Sequence, residues 1–341
     1  MSQSGSLRTG GGGGGGGVTS VQGTAPIQVN GVSGVPQTGA VVVSTTQSDL
    51  HVARFIVSAG GATDGANYTT IAAALTAAIA ATGNQTIFIQ PGTYTENLTL
   101  SPNINLTAFP CDAYTPNVTI SGKLTMTAAG TVSISNINLQ TNSDYVIEVT
   151  GSNAITINLI GCNITASSAN AIHNTNSSAE IQLFQCFGDC STNTYFIATG
   201  GGIKVFNSVL ASGSNTTTNS TFANANLEMQ DSFFASPITT SGTGSVSLYK
   251  SQVICTNTTA LTHGGTGNSI SMQSRFESGT ASTISIGASA TLPVLHSSVF
   301  STNTNAITGS GTLKYAFIAF YGNSASSGVN TSTVTALATL V

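Results

Sequence analysis

The side chains that could do chemistry are few, and their types and spacing constrain what they can do. Seven carboxyls of the rod are eligible for such chemistry: Asp144, Glu148, Glu180, Asp189, Glu228, Asp231 and Glu277. A glycosidase needs two carboxyls about 5–10 Å apart. Glu228 and Asp231 are three apart, but each has a base one repeat away, Lys204 and Lys250 respectively. Glu148 and Glu180 fall in different repeats with no fixed relation. His51, His173, His263 and His296 are isolated from one another, make no Ser-His-Asp arrangement, and read as loop or ladder residues. The five cysteines, Cys111, Cys162, Cys186, Cys190 and Cys255, are an odd number in a long chain and form no disulfide framework. Cys186 and Cys190 lack C-x-x-C spacing and a nearby histidine, so no metal site is expected. The run Gly10–Gly17 lacks the Lys-Ser/Thr ending of a phosphate-binding loop. Tyr195, Tyr249 and Phe276 could stack on sugars or fill a core. These residues predict no catalytic, metal or cofactor-binding site, no cofactor and no enzymatic activity.

Composition bounds the partners. Only 5% of the 341 residues are charged, against roughly 25% in ordinary globular proteins. Ser and Thr contribute 96 residues and Asn 28, so the polar surface is built from hydroxyls and amides. The hydrophobic fraction, 40%, is enough for a sizeable core, and the net charge of −4 offers no basic patch for nucleic acid. Met1-Ser2-Gln3-Ser4-Gly5 does not begin a classical signal peptide. The most apolar run, Ile71 to Ala81, is too short to cross a bilayer.

The elements that must position these groups follow from a repeat. An alternating apolar pattern begins at Val132, Ile157, Ile181, Ile203, Leu227, Val246, Ile270, Leu292 and Leu313, at successive spacings of 25, 24, 22, 24, 19, 24, 22 and 21. Alternation demands strands, and a 20–50-residue period signals a solenoid. Earlier coils begin near Ile87, Leu98 and Val118, for about eleven in all. Counting five positions on from the starts places Cys162, Cys186, Ser208, Ser232, Ser251 and Ser297 in one column. Asp231 with Lys250, and Lys204 with Glu228, become opposite charges one rung apart. Residues 67–83 read as one helix, with Thr69 or Thr70 as its cap and Ile71, Leu75, Ala78 and Ile79 on its apolar face.

The segment Tyr68-Thr69-Thr70-Ile71-Ala72-Ala73-Ala74-Leu75, followed by Ile87-Phe88-Ile89-Gln90-Pro91-Gly92-Thr93-Tyr94, resembles the start of a pectin-lyase-like β-helix. In that superfamily a helix covers the first coil and a strand and Pro-Gly-x-Tyr turn follow. The fold class expected is all-β: a right-handed parallel β-helix of about eleven coils with one N-terminal capping helix. The resemblance also raises a polysaccharide enzyme as an alternative. Gln185-Cys186-Phe187-Gly188-Asp189 faintly echoes half of a methylesterase-like site, but an Asp-Phe-Ile-Phe-Gly-like strand is missing. The three arginines, Arg8, Arg54 and Arg275, do not sit with clustered acids as a calcium-dependent lyase requires.

The predicted organisation is a glycine-rich flexible segment (1–17), a β-prone N-terminal arm (18–64), the β-helix (65–320) and a C-terminal cap or tail (321–341). Gly17-Val18-Thr19-Ser20-Val21-Gln22-Gly23-Thr24-Ala25-Pro26-Ile27 resembles the Gly/Thr/Val-rich segments of bacteriophage tail-fibre proteins. The function expected is a structural fibre or appendage subunit, virion tail-fibre-like or an extracellular filament. It would self-assemble with copies of itself through its arm and its solenoid ends. The alternatives are a glycan-binding adhesin or receptor-binding module, whose partners would be surface glycans, and a polysaccharide lyase or hydrolase. The expected location is extracellular or on a virion surface.

Overall fold

Side chains two apart on a strand share a face, so an apolar-x-apolar run with Ser, Thr or Asn between makes a strand with one dry face. A computed structural model describes residues 27–29, 43–45 and 55–333, the last with gaps at 61–66, 82, 109–115, 142, 168–169, 191–193, 213–218, 257, 280, 302–304, 317, 323–324 and 328–329. The chain divides into two units, Met1–Val52 and Ala53–Val341. In the first, Ile27–Val29 pairs antiparallel with Val43–Thr45.

The second unit is a right-handed parallel β-helix. Its strands form three parallel sheets of 14, 11 and 11 strands, called here the first, second and third sheets, and a full coil contributes one strand to each. The first sheet includes Ile155–Ile160, Ala179–Phe184, Gly202–Phe206 and Asn226–Gln230; the second, Phe187–Cys190 and Val209–Ser212; the third, Tyr145–Val149 and Asn170–Asn174. The core lies between the sheets. Val132, Ile157, Ile181, Ile203, Leu227 and Val246 pair in direct succession and are all buried. The expected register therefore holds over these six coils.

It slips at the next coil. Ile270 pairs with Ser247 and faces outward, while Ser269 and Ser271 are buried. A one-residue shift exchanges the two faces of a strand, and Ile270-Ser271-Met272 alternates as well in either register. The ladder residue of this coil is accordingly Ser274.

The corner between the first and second sheets is the most regular feature. Asn136, Gly161, Gln185, Asn207, Asp231, Lys250, Gln273 and His296 occupy it in successive coils, all with φ between 47° and 60°. The residue that follows turns inward: Cys162, Cys186, Ser208, Ser232, Ser251, Ser274 and Ser297 are all buried. The N–H of Ser208 donates to Ser232 Oγ at 3.2 Å, and those of Ser232, Ser251 and Ser274 donate likewise to the hydroxyl one coil on. Each hydroxyl in turn donates to a carbonyl two residues back in its own coil, as Ser232 Oγ does to Gln230 O at 2.7 Å. Burial of these polar groups is thus offset by hydrogen bonds.

The helix spans Ile71–Ala80, shorter than the predicted 67–83, with Thr70 as N-cap. Two of its free N–H groups, those of Ile71 and Ala72, donate to the Glu96 carboxylate at 2.9 Å each. Ile71, Ala74, Leu75 and Ala78 face the solenoid, whereas Ile79 is 53% exposed. The β-helix takes in Phe55–Val57, ahead of residue 65, because that strand pairs with Ile87–Ile89. It also continues past residue 320, where Asn330–Thr333 pairs with Thr312–Tyr315. Residues 1–26 and 334–341 lie outside the described residues, as do His51, Arg54 and Cys111.

Candidate functional site

The coils bring together residues that stand far apart in sequence. Glu148 and His173 are paired across adjacent strands of the third sheet, on its outward face. Lys123 stands at the turn into that sheet, just before Leu124–Met126. Its Nζ donates to Asp144 Oδ2 at 2.5 Å and to Glu148 Oε2 at 3.0 Å. The other Glu148 oxygen lies 3.3 Å from His173 Nδ1. The Tyr145 ring stacks on the His173 imidazole, centroids 4.2 Å apart and planes at 17°. The His173 and Glu148 side chains are 17% and 22% exposed, so both are shielded yet reachable. Hydrogen bonds to the two carboxylates raise the Lys123 pKa and hold it as a cation.

This arrangement has a definite chemical sense. An ionised carboxylate only accepts hydrogen bonds, so His173 Nδ1 must carry the proton it shares with Glu148. That leaves Nε2 as the atom able to take up or give a proton. Sequence reading treated His173 as isolated and left Glu148 unplaced. The spacing held part of the signal, since Glu148 and His173 are 25 apart and in register one coil from each other, while Lys123 lies two residues before Thr125, the register partner of Glu148.

The other expected residues separate. Lys204 pairs in register with Glu228, as expected, and its Nζ bridges back to Glu180 Oε2 at 2.8 Å. Burial opposes the ionised form of Glu180, but hydrogen bonds from Lys204 and Gln182 lower its pKa on balance. Asp231 and Lys250 are neighbours at the corner, where Asp231 N–H donates to Tyr249 O. Their heads part, however: Lys250 lies over the Tyr249 ring at 5.0 Å and Asp231 accepts from Gln230. Arg275 pairs with Glu277 of its own strand at 2.5 Å. His263 is buried against Thr240, 2.7 Å from Nδ1, and burial lowers its pKa. Of the three aromatics considered for sugar stacking, Tyr195 and Phe276 are core residues and Tyr249 is exposed. Cys162, Cys186, Cys190 and Cys255 are buried free thiols. Among the described residues there is no group of three or more metal-ligating side chains and no helix long and apolar enough to cross a membrane.

Sequence reading missed one surface altogether. On either side of the regular corner the outward residues are apolar over successive coils. Ile160, Phe184 and Phe206 form one column and Phe187, Val209 and Phe233 the other. Phe187 is 57% exposed and Val209 45%. The Phe184 and Phe206 rings stack on each other, centroids 5.0 Å apart and planes at 12°.

No protein-family model and no curated protein matches the sequence. Solved structures do resemble it. The A-module of the mannuronan C-5 epimerase AlgE6 from Azotobacter vinelandii aligns at TM-score 0.39 and 13% identity, over 77% of this chain and 94% of that one. The pectin methylesterase PemA from Erwinia chrysanthemi aligns at 0.34 and 12%, over 76% and 81%. A pectin methylesterase from Aspergillus niger aligns at 0.35 and 14%, over 83% and 86%. At this identity the likeness shows the fold alone. All three are named as enzymes, which stands against the expectation of a chain without activity, but a likeness at these TM-scores assigns no activity to this chain. None bears on the tail-fibre resemblance of Gly17–Ile27.

Proposed function

We propose that the chain is a carbohydrate-directed β-helix whose acid–base centre is the Glu148–His173 pair. The observation behind this reading is the Glu148 carboxylate, shared between a lysine and a histidine on a reachable sheet face, with Tyr145 stacked on that histidine. In this reading His173 Nε2 moves a proton to or from a sugar unit, and Glu148 sets the tautomer and steadies the imidazolium that forms. Lys123 and Asp144 hold Glu148 in place. A hydroxyl- and amide-rich surface with few charges suits a partner made of hydroxyls, met outside the cell or on a virion surface. A positioned acid–base group contributes about 10²–10⁴-fold to rate. The test is a polysaccharide panel assayed for new reducing ends, unsaturated ends and released acid. Turnover of at least one polymer, reduced about 100-fold or more in His173→Ala and Glu148→Gln with unchanged melting, is the expected result. Wild-type protein inert on every polymer, or variants as active as wild type, would refute the reading.

A second reading, association between copies of this chain, is favoured by the apolar columns at the corner. Contiguous exposed apolar surface marks interaction sites. The stacked Phe184 and Phe206 rings turn their faces to each other, which suits a protein partner better than a sugar. Light scattering should report an oligomer that Phe187→Asp with Val209→Asp dissociates. A wild-type monomer at high concentration would eliminate this reading.

A further inference from the structure

At the corner where the third sheet feeds the first, the outward face carries a notch of about 380 Å³. Its cause is a missing side chain. In the outward column that runs Thr131, Thr156, Glu180, Gly202, Asn226, Ser245, only Gly202 contributes nothing. Its neighbours on either side, Glu180 and Asn226, are two coil steps apart, about 9.6 Å. Gly201 closes the floor: at φ +67°, a Cβ there would lie 2.2 Å from Ala179 O. Gly202 is different, since its added Cβ would meet only Asn226 O at 3.9 Å and its φ is not positive. Neither strain nor crowding therefore demands glycine at 202, yet its absence of a side chain opens the notch.

The lining fixes what can enter. Glu180 and Glu228 offer acceptors, Lys204 donors, and Ser178 and Asn226 both. A polyol, whose hydroxyls donate and accept, matches that mixture. The charge balance selects further. Two carboxylates surround one lysine, and that lysine is already committed to Glu180 at 2.8 Å, a bond that raises its pKa. An acidic sugar would bring a third carboxylate beside two others, and like charges at a binding site cost affinity. A volume of this size lies at the lower end of the range of ligand pockets, about 300–1,000 Å³, and suits a short saccharide.

We infer that the Gly202 notch is a subsite for a neutral saccharide unit, distinct from the Glu148–His173 centre. It rests on the reading of the chain as carbohydrate-directed and adds the class of sugar. The probe is calorimetry with a panel of neutral hexasaccharides (gluco-, xylo-, manno- and galacto-) alongside hexagalacturonate and hexamannuronate. The proteins are wild type, Gly202→Phe, Glu228→Gln and His173→Ala. At least one neutral hexasaccharide should bind wild type, at least 10-fold more tightly than either uronate. Gly202→Phe should weaken it 10-fold or more with unchanged melting, and His173→Ala should leave binding intact. If Gly202→Phe proves unstable, Glu228→Gln carries the test, weakening neutral binding while narrowing the preference against uronates. No binding of any neutral hexasaccharide, tighter binding of a uronate, or equal binding by Gly202→Phe and Glu228→Gln would each overturn the inference. The two readings fail separately. Binding lost in the notch variants with no turnover by wild type condemns only the acid–base centre. Turnover that survives filling of the notch without a change in KM condemns only the subsite.

Discussion

Each serine of the corner column gives and receives. Its Oγ accepts the N–H of the coil before it and donates to a carbonyl of its own coil. Ser232→Ala or Ser251→Ala would leave the buried N–H of Ser208 or of Ser232 without its acceptor, and such a group costs about 1–3 kcal/mol. Urea unfolding should show a loss in that range for either variant, and a smaller one for Ser208→Cys, since Cys162 and Cys186 already occupy the column. A result within experimental error of wild type for both alanines would show the column carries no stability. His263 makes a pH prediction. Burial depresses its pKa, and a base with a folded pKa below the unfolded ~6.5 lends stability above that value. The contribution is lost as pH falls through the folded pKa. The urea midpoint should therefore hold steady above about pH 7 and decline below, and His263→Gln should flatten the decline. At this scale the sequence revealed the column but not the site. The ladder repeats in many coils, whereas Lys123, Glu148 and His173 meet once, through side chains whose reach the repeat does not specify.

Elements were legible where period and burial agreed. Six strand starts fell into register because each buries a β-branched or leucine side chain at both alternate positions or nearly so. Ile270 failed because Ser269 and Ser271 take the inward places, and a polar residue inside is invisible to a hydrophobic pattern. Tyr195 and Phe276 could not be assigned a face from types alone. The helix was found from its cap and its i, i+4 spacing, but its ends were overrun by the strand Asn67–Tyr68 before it and by the turn at Ala81. Glu96 acts at this scale, since it stands a whole coil's length of chain beyond Ile71 and yet satisfies the helix start. A cap of this kind is worth about 0.5–2 kcal/mol. Glu96→Ala should lower stability by that order and reduce amide-exchange protection at Ile71 and Ala72 first. Uniform loss of protection across the first coil would mean the carboxylate holds the strand and not the helix.

Over the second unit as a whole, three sheets and one core repeat with only local variation, which is why the fold could be read from a chain with so little in the way of motif. Functional surface is the converse, produced where the repeat is broken: a charged trio on the third sheet, a bare glycine on the first, an apolar stretch at the corner. The buried hydroxyl chain has a further meaning. Because every link in it points the same way, it recognises a neighbour only by offset and not by identity, so the natural unit of insertion or loss is a whole turn of chain. Ile203 and Leu227 occupy equivalent places in adjacent coils, as do Gly202 and Asn226. Excising residues 203–226 joins Gly202 to Leu227 with all three sheets in step, and that shortened protein should fold with β-content reduced in proportion, as read by circular dichroism. Excising 203–225 leaves Asn226 as an extra link and throws the rest of that strand, from Leu227 on, onto the wrong face, so it should not fold. Such a molecule can grow or shrink by entire coils, and scarcely at all in between.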